Sequence, residues 1–273
     1  MCYALRTEHK MSASDHAEPR IFLLNVGVNT SQASKAKSPL FTNAQANGRN
    51  FCYVPFFITD VSKPVREYPP DCLGFLNPTS RPDIEKKAHS DPDWENLTYG
   101  DKCSQPRAGK LTEVRKGDIL LFWGVLFKFD GQGWKGFTTK GWYLFGCLRI
   151  EEVVSSKTDL STLSSDIRER ALKNVHFRDG NTLQHDHYVF VGQRAFSGLF
   201  DKAVDLEVED EDQGLIYKSF TSAQGKRLRR TQQPKWSSSL RTCRIVRDRS
   251  HAEILRKGIQ DCCGTDIFKG LSL

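Results

Sequence analysis

The sequence lacks any run of about 18 apolar residues, the length that a membrane-spanning helix requires. Its first 20 residues carry charged side chains throughout and have no apolar middle, so they do not have the composition of a signal peptide. We therefore expect no membrane association. The expected location is the cytosol, with the nucleus as a second possibility.

The short motifs of common enzymes are also missing. The chain has no Walker loop, no Gly-x-Ser-x-Gly and no His-Glu-x-x-His. Gly131, Gly133 and Gly136 have the spacing of a dinucleotide-binding loop, but they lie between two predicted strands with no helix to receive a phosphate. The sequence therefore leaves open whether the protein is an enzyme, and its cofactors stay undetermined.

Eight cysteines are present, but no two of them have Cys-x-x-Cys spacing, which counts against a zinc site. Cys52, Cys147 and Cys243 lie among apolar residues, where a reduced cysteine behaves as a small hydrophobic side chain. We expect reduced cysteines and assign no metal site.

The overall composition is typical of a globular protein with a net positive charge. The hydrophobic fraction is 38%, aromatic residues make up 11%, and the formal net charge is +7. The many aromatic rings need a core or a stacking surface. A positive balance favours anionic partners, namely nucleic acid, nucleotides or membrane headgroups, without choosing among them.

The clearest structural signal is a strand–loop–strand unit between Asp118 and Ile150. Both arms are rich in β-branched and aromatic residues, and the loop between them is rich in glycine. Gly124 and Gly146 predict bulges that bend a small barrel. Further strands are predicted at 21–28, 51–58 and 187–192, and amphipathic helices at 160–173 and 250–257. The pattern predicts an α+β, β-rich fold with a few peripheral helices and long loops.

The sequence pattern predicts three segments. Residues 1–20 form a flexible tail, residues 21–246 form the domain, and residues 247–273 form a C-terminal helix and tail. Within the domain, residues 60–117 are rich in Pro, Asp and Gly, which predicts a long, lid-like loop.

Two polar clusters are candidate sites. His89, Asp91 and Asp101, with Tyr99 between them, are able to hold a divalent metal or shuttle protons, although Asp in such loops often only satisfies backbone groups. His176 and Arg178 are candidates for phosphate contact, with plain packing as the alternative. Near them, His185-x-His187 offers two imidazoles, but no Cys or Glu completes a zinc set.

Charge separates near the C-terminal end. Residues 205–212 hold six acidic side chains, which suit a protein partner. A basic run follows, made of Lys226, Arg227, Arg229 and Arg230 with Trp236 nearby. Bases beside an aromatic ring fit a phosphate backbone with a stacked base, or a nuclear localisation signal. The other interpretation is a solvated face that compensates the acidic stretch.

An ordered string of motifs over roughly residues 21–246 resembles the third of the nucleotide-modification-associated domain families. The motifs are Leu24-Asn-Val-Gly-Val-Asn29, Ser38-Pro-Leu-Phe41, Tyr53-Val-Pro55, His89-x-Asp91-Pro92, Thr98-Tyr-Gly-Asp101, Gly117-Asp-Ile-Leu120, Trp142-Tyr-Leu-Phe-Gly146, Asn174-Val-His176 and Val189-Phe-Val-Gly192. The resemblance implies an association with base-modification systems, without an established reaction. Asn174-Val-His176 departs from the expected Asn-Pro-His. The Gly-Asp strand and its partner are also similar to PUA-like barrels, which often read RNA or modified bases.

These observations support three hypotheses. The first is a module that binds nucleic acid or a modified nucleotide in a PUA-like open barrel, where Trp123 or Trp142 stacks on a base. Asn29 and Asp91 would read the base edge, while Ser38 and Tyr99 belong to the binding set. The second is an enzyme acting on a nucleotide or base, and the third is a protein–protein adaptor.

Overall fold

The computed structural model describes residues 18–27, 32–45, 47–58, 65–131, 133–178, 182–206, 243–246 and 249–263. Several predictions fall outside these residues: the tail before residue 18, Asn29, most of the acidic stretch, and the basic run with Lys226, Arg227, Arg229, Arg230 and Trp236.

Most of the described strands belong to one mixed sheet. These strands are β1 (Ile21–Asn25), β2 (Pro39–Phe41), β5 (Thr98–Lys102), β6 (Ile119–Phe129), β7 (Phe137–Ser155), β10 (His187–Gly192), β11 (Gly198–Asp205) and β12 (Arg244–Val246). The path of the sheet runs β12-β1-β6-β7-β10-β5, with β11 paired to β7 and β2 paired to β6. Pairs of short strands lie apart from this sheet: β3 (Phe56–Phe57) with β4 (Ala88–His89), and β8 (Phe177–Arg178) with β9 (Thr182–Leu183).

The predicted strand pair is the centre of the sheet. β6 and β7 run antiparallel, and both extend beyond the predicted ends. The parallel neighbour β1 pairs with β6 from Ile21 opposite Ile119 to Asn25 opposite Trp123. β6 is buried on both faces over its first nine residues, which explains its continuous apolar sequence.

Side chains alternate between two hydrophobic clusters along these strands, as the two-residue period of a strand requires. Ile21, Leu23, Leu121 and Trp123 belong to one cluster, which also contains Leu255 and Ile259 of the C-terminal helix and is called the helix-side cluster below. The neighbouring residues contribute to a second, larger cluster, called the pocket-side cluster, whose members include Phe22, Leu24, Tyr99, Leu120, Phe122, Phe145 and Phe190.

The pocket-side cluster shows that the sheet is strongly curled. Leu24 of β1 and Tyr99 of β5 share this cluster, although three strands separate β1 from β5 along the sheet. The described strands do not close into a barrel, because the path ends at β12 and β5 without pairing between them. The predicted α+β, β-rich class is confirmed.

Few helices accompany the sheet. α1 (Arg81–Ile84) is one turn, α2 (Ser165–Leu172) packs beside β10, and α3 (Arg249–Cys263) covers the helix-side cluster. Both predicted amphipathic helices exist, but α2 is shorter than predicted because a 3₁₀ turn at Leu160–Thr162 and the cap residue Ser164 precede it. Among the described residues, no helix is long and apolar enough to cross a membrane.

The prediction of a long loop over residues 60–117 is wrong for its described part, 65–117. This segment contains 3₁₀ helices at Pro70–Phe75 and Gly109–Glu113, together with α1, β4 and β5. β5 was not predicted from the sequence, because Gly and Asp are depleted in strands and make up two of its five residues. Pairing with β10 stabilises it nevertheless, from His187 opposite Lys102 to Val191 opposite Thr98.

Candidate functional site

A cavity of about 160 Å³ opens between β1 and β5, which the curl of the sheet brings close together. Residues 24–27 at the end of β1 form one wall, and Tyr99, Gly100 and Asp101 of β5 form the other. Side chains from outside the main sheet complete the lining: Gln32, Phe56, His89, Asp91, Arg107 and His176. We call this cavity the His–Asp pocket. Polar side chains make up much of its lining, beside the apolar residues Leu24, Val26 and Phe56.

Asp91 makes three hydrogen bonds in the pocket and is only 3% exposed. Its Oδ1 accepts from the Gly100 backbone N–H at 2.8 Å and from Asn174 Nδ2 at 3.3 Å. Its Oδ2 lies 3.2 Å from His176 Nε2. A buried carboxyl group with partners on both oxygens is held in one orientation, so its position is fixed before any ligand arrives.

Asn174 connects this carboxyl group to the rest of the site. Its Nδ2 also donates to Thr98 Oγ1 at 3.0 Å, and its Oδ1 accepts from the His176 backbone N–H at 3.0 Å. Asn174 lies two residues after the end of α2, so the C-terminus of this helix positions both Asn174 and His176 at the pocket. The Asn-x-His motif therefore holds His176 in position against Asp91.

The two histidines meet across the pocket. The ring centroids of His89 and His176 are 5.1 Å apart and nearly perpendicular, and the Phe56 ring packs on His89 at 4.9 Å. Burial lowers the pKa of His176, but the hydrogen bond to Asp91 and its charge outweigh burial, so the pKa is raised above its ordinary value. The fold therefore favours a proton on the His176 imidazole beside Asp91.

Asp101 organises a second polar group on the opposite wall. Its Oδ2 accepts from the Tyr99 hydroxyl at 2.9 Å, and its Oδ1 accepts from Arg107 at 2.9 Å. Burial and the neighbouring Asp101 raise the pKa of Tyr99 well above 10, so its hydroxyl remains a donor at neutral pH. Burial opposes the charge on Arg107, but Asp101 raises the pKa of that guanidinium.

Gly100 makes the close approach of these groups possible. A Cβ at this position would lie 2.4 Å from His176 Cδ2 and 2.8 Å from Asn174 Oδ1. The backbone of β5 therefore touches the His176 ring directly, and its N–H reaches Asp91. The requirement for glycine is a matter of space, since atoms cannot overlap at that distance.

Several predicted site residues converge in this pocket: His89, Asp91, Tyr99, Asp101 and His176 all line it. Others lie elsewhere. Trp123 is 1% exposed in the helix-side cluster and packs against Trp142 at 5.3 Å between ring centroids, so neither ring lines the pocket. Ser38 is buried and bonds the Val54 backbone. Arg178 belongs to β8, and its side chain lies outside the described part of the structure.

The site residues that were not predicted from the sequence include Gln32, Phe56, Gly100, Arg107 and Asn174. Arg107 lies in a turn with no motif around it. Gly100 and Asn174 stand inside recognised motifs, but only their spatial neighbours reveal their roles. The available signal was a histidine in each of two distant motifs, His89-x-Asp91 and Asn174-x-His176, because histidine is a common acid–base group and metal ligand.

The fold and the site together define the class of this protein. It is an α+β protein with a curled open sheet and a pocket lined by histidine and carboxyl side chains. Residues 20–257 match the family model described as nucleotide modification associated domain 3, so the chain belongs to that family. The match runs into α3, beyond residue 246. No curated protein and no solved structure matches the chain.

Proposed function

We propose that the protein binds a nucleotide or a nucleic-acid base in the His–Asp pocket and acts within a base-modification system. The observation that carries this proposal is the convergence of buried, mutually oriented polar groups in one cavity. Family membership supports the association with nucleotide modification. The substrate class and the mode of binding are inferred from the chemistry of the lining.

The lining suits the edge of a base. A carboxylate offers about four acceptor positions, and the described donors use three on Asp91 and three on Asp101. Carboxyl oxygens accept hydrogen bonds from exocyclic amino groups such as that of cytosine. The half-buried ring of Phe56 at the rim provides an apolar face for stacking.

The size and charge of the pocket further limit the range of ligands that it accommodates. Drug-sized ligands occupy cavities of about 300–1,000 Å³, so a cavity of about 160 Å³ takes one planar base, with sugar and phosphate outside. The Arg107 side chain is 55% exposed at this rim and is placed for a phosphate contact. The basic run from Lys226 to Arg230 is proposed to hold further phosphates.

Binding is tested with nucleosides, nucleoside monophosphates and short RNA and DNA strands, by calorimetry and fluorescence anisotropy. We expect Asp101→Asn to weaken binding by about tenfold or more, since a hydrogen bond to a charged group contributes about 1.5–3 kcal/mol. Asp159→Asn, on the exposed side of a distant turn, is the matched control. Oligonucleotide affinity should fall with salt; no affinity for any ligand, or a flat salt profile for all oligonucleotides, contradicts the proposal.

A second candidate is an enzyme that acts on the base. The specific observation that favours it is the Asp91–His176 pair, in which a buried carboxyl group orients an imidazole that faces the cavity. Nucleosides from cells producing the wild-type chain, His176→Asn or the control His187→Asn are compared by mass spectrometry. A modified nucleoside that disappears only with His176→Asn supports catalysis, and identical profiles contradict it.

A further inference from the structure

The side chains of His89, Asp91 and His176 bring one ligand atom each to the same point of the His–Asp pocket. The two imidazole nitrogens and the carboxyl oxygen all lie within 4.8 Å of one another. We propose that these three residues bind a divalent transition-metal ion such as Zn²⁺ or Fe²⁺. The sequence indicated His89 and Asp91 as possible metal ligands together with Asp101, but not His176, because 85 residues separate Asp91 from His176.

The distances suit coordination. Metal–ligand bonds of about 2.0–2.1 Å place neighbouring atoms of a tetrahedral shell roughly 3.3 Å apart. The 3.2 Å between His176 Nε2 and Asp91 Oδ2 matches that edge as well as it matches a hydrogen bond, and a bound ion would displace the proton that Nε2 holds against Asp91. The three ligand atoms lie within 4.8 Å of one another, so binding of an ion requires the wider separations to close toward this edge.

The surroundings support these residues as ligands. Asp91 keeps Oδ2 directed at the histidines because Gly100 and Asn174 hold Oδ1. Such outer-shell hydrogen bonds orient ligands and strengthen metal binding. The three side chains also line the cavity, so the remaining coordination positions of an ion face the space proposed for the base.

The ligand types select the class of metal. Two imidazoles and one carboxylate form the set used by non-haem iron and catalytic zinc sites, which keep positions open for water or substrate. Calcium and magnesium prefer shells made entirely of oxygen, which this set does not provide. An ion here would bind an oxygen of water or of the nucleotide directly.

Among the described residues, a second group of possible ligands consists of Cys52, Asp71 and Cys72. It is the weaker candidate. The two sulfurs lie 3.9 Å apart, and the hydrogen bond between them together with burial raises the pKa of Cys72 far above its ordinary value. A thiol must lose its proton to bind a metal, so this environment disfavours coordination.

The test uses the full chain, stripped with a chelator and titrated with Co²⁺ and Zn²⁺ in the absence of nucleotide. Visible absorption reports Co²⁺ binding, and calorimetry gives the stoichiometry for Zn²⁺. We expect one equivalent in the wild type. His89→Ala and Asp91→Asn should weaken binding by more than about 100-fold, because loss of an outer-shell partner alone costs about 10–100-fold.

Two controls separate the alternatives. His187→Ala removes an imidazole whose ring centroid is 5.3 Å from that of His176 and which lies outside the triad. The double variant Cys52→Ser/Cys72→Ser removes the competing group. Both should bind as the wild type does. Loss of binding in the cysteine variant, or unchanged binding in a folded His89→Ala, overturns the assignment.

X-ray absorption of the Zn²⁺-loaded wild type tests the assignment without any variant. We expect only nitrogen and oxygen neighbours near 2.0–2.1 Å, whereas a sulfur neighbour at about 2.3 Å contradicts the site. Absence of a stoichiometric ion at micromolar concentration also overturns it. Nucleotide binding is measured separately in chelator, so failure of either proposal is recognised independently of the other.

Discussion

The two sides of the central sheet are packed differently, one with apolar side chains and the other with a polar pocket beside its apolar cluster. On the helix side, Trp123 meets Leu255 and Ile259 in a cluster formed by apolar side chains. On the other side, the apolar cluster gives way to the His–Asp pocket, where Asp91 and Asp101 are nearly as buried as the core residues. One side gains stability from removing apolar surface from water, and the other must compensate buried polar groups with hydrogen bonds.

This difference shows which part of the molecule is a scaffold and which part is shaped for a ligand. The helix-side cluster tolerates exchange between apolar residues of similar volume, because its requirement is filled space. The pocket depends on individual atoms, such as the Gly100 N–H and the Asn174 amide, whose removal leaves a buried partner unpaired. Substitutions on the two sides should therefore fail in different ways.

The largest effect is expected from Trp123→Ala in the helix-side cluster. Removing a buried aromatic side chain costs about 3–5 kcal/mol, and Trp123 is among the largest fully buried side chains of the chain's described part. The free energy of unfolding, from urea denaturation, should fall by that amount. Ligand affinity of the molecules that remain folded should stay at the wild-type value, and a specific loss of affinity would contradict the assignment of Trp123 to the scaffold.

Asp91→Ala should have the next largest effect and should act on both stability and binding. It leaves the buried Gly100 N–H without its acceptor, at about 1–3 kcal/mol, with smaller losses at Asn174, whose Nδ2 keeps Thr98 Oγ1, and at His176, which lines the cavity. Asp91→Asn keeps one carbonyl oxygen and should retain more stability. Equal stability of the two variants in thermal melts would show that the network does not depend on these acceptors.

The sequence predicted the scaffold more completely than the pocket, for a physical reason. The strand pair β6–β7 and the amphipathic helices are visible because burial repeats along the chain with the period of the element. The pocket is built from isolated side chains on different elements, and no local pattern records that His89 approaches His176. Motif residues indicated part of it, but Trp123 and Trp142 were placed there only because of their stacking chemistry.

Gly100→Ala is expected to have a smaller effect on stability than Asp91→Ala, with a clear effect on the pocket. The new methyl group would meet the His176 ring at 2.4 Å, so the ring or β5 must shift. Overpacking of this kind costs about 1–3 kcal/mol. Gly109→Ala is the matched control, because its nearest contact is 3.8 Å from the new Cβ. Both are compared by urea denaturation and by ligand affinity, and equal behaviour of the two variants would contradict the close approach.

The smallest effect is expected from Ser164→Ala, at the start of the helix that leads into the pocket. The Ser164 hydroxyl accepts from the Ile167 N–H at 3.4 Å, a long hydrogen bond on an exposed surface. N-cap removal costs about 0.5–2 kcal/mol, and this geometry places the expected loss near the lower limit. Ser164→Asp keeps the acceptor and adds a negative charge at the helix N-terminus, so it should match or exceed wild-type stability. If Ser164→Ala instead abolishes ligand binding, the pocket depends on the whole of α2 rather than on the short stretch from Asn174 to His176, and the boundary between scaffold and site moves into the helix.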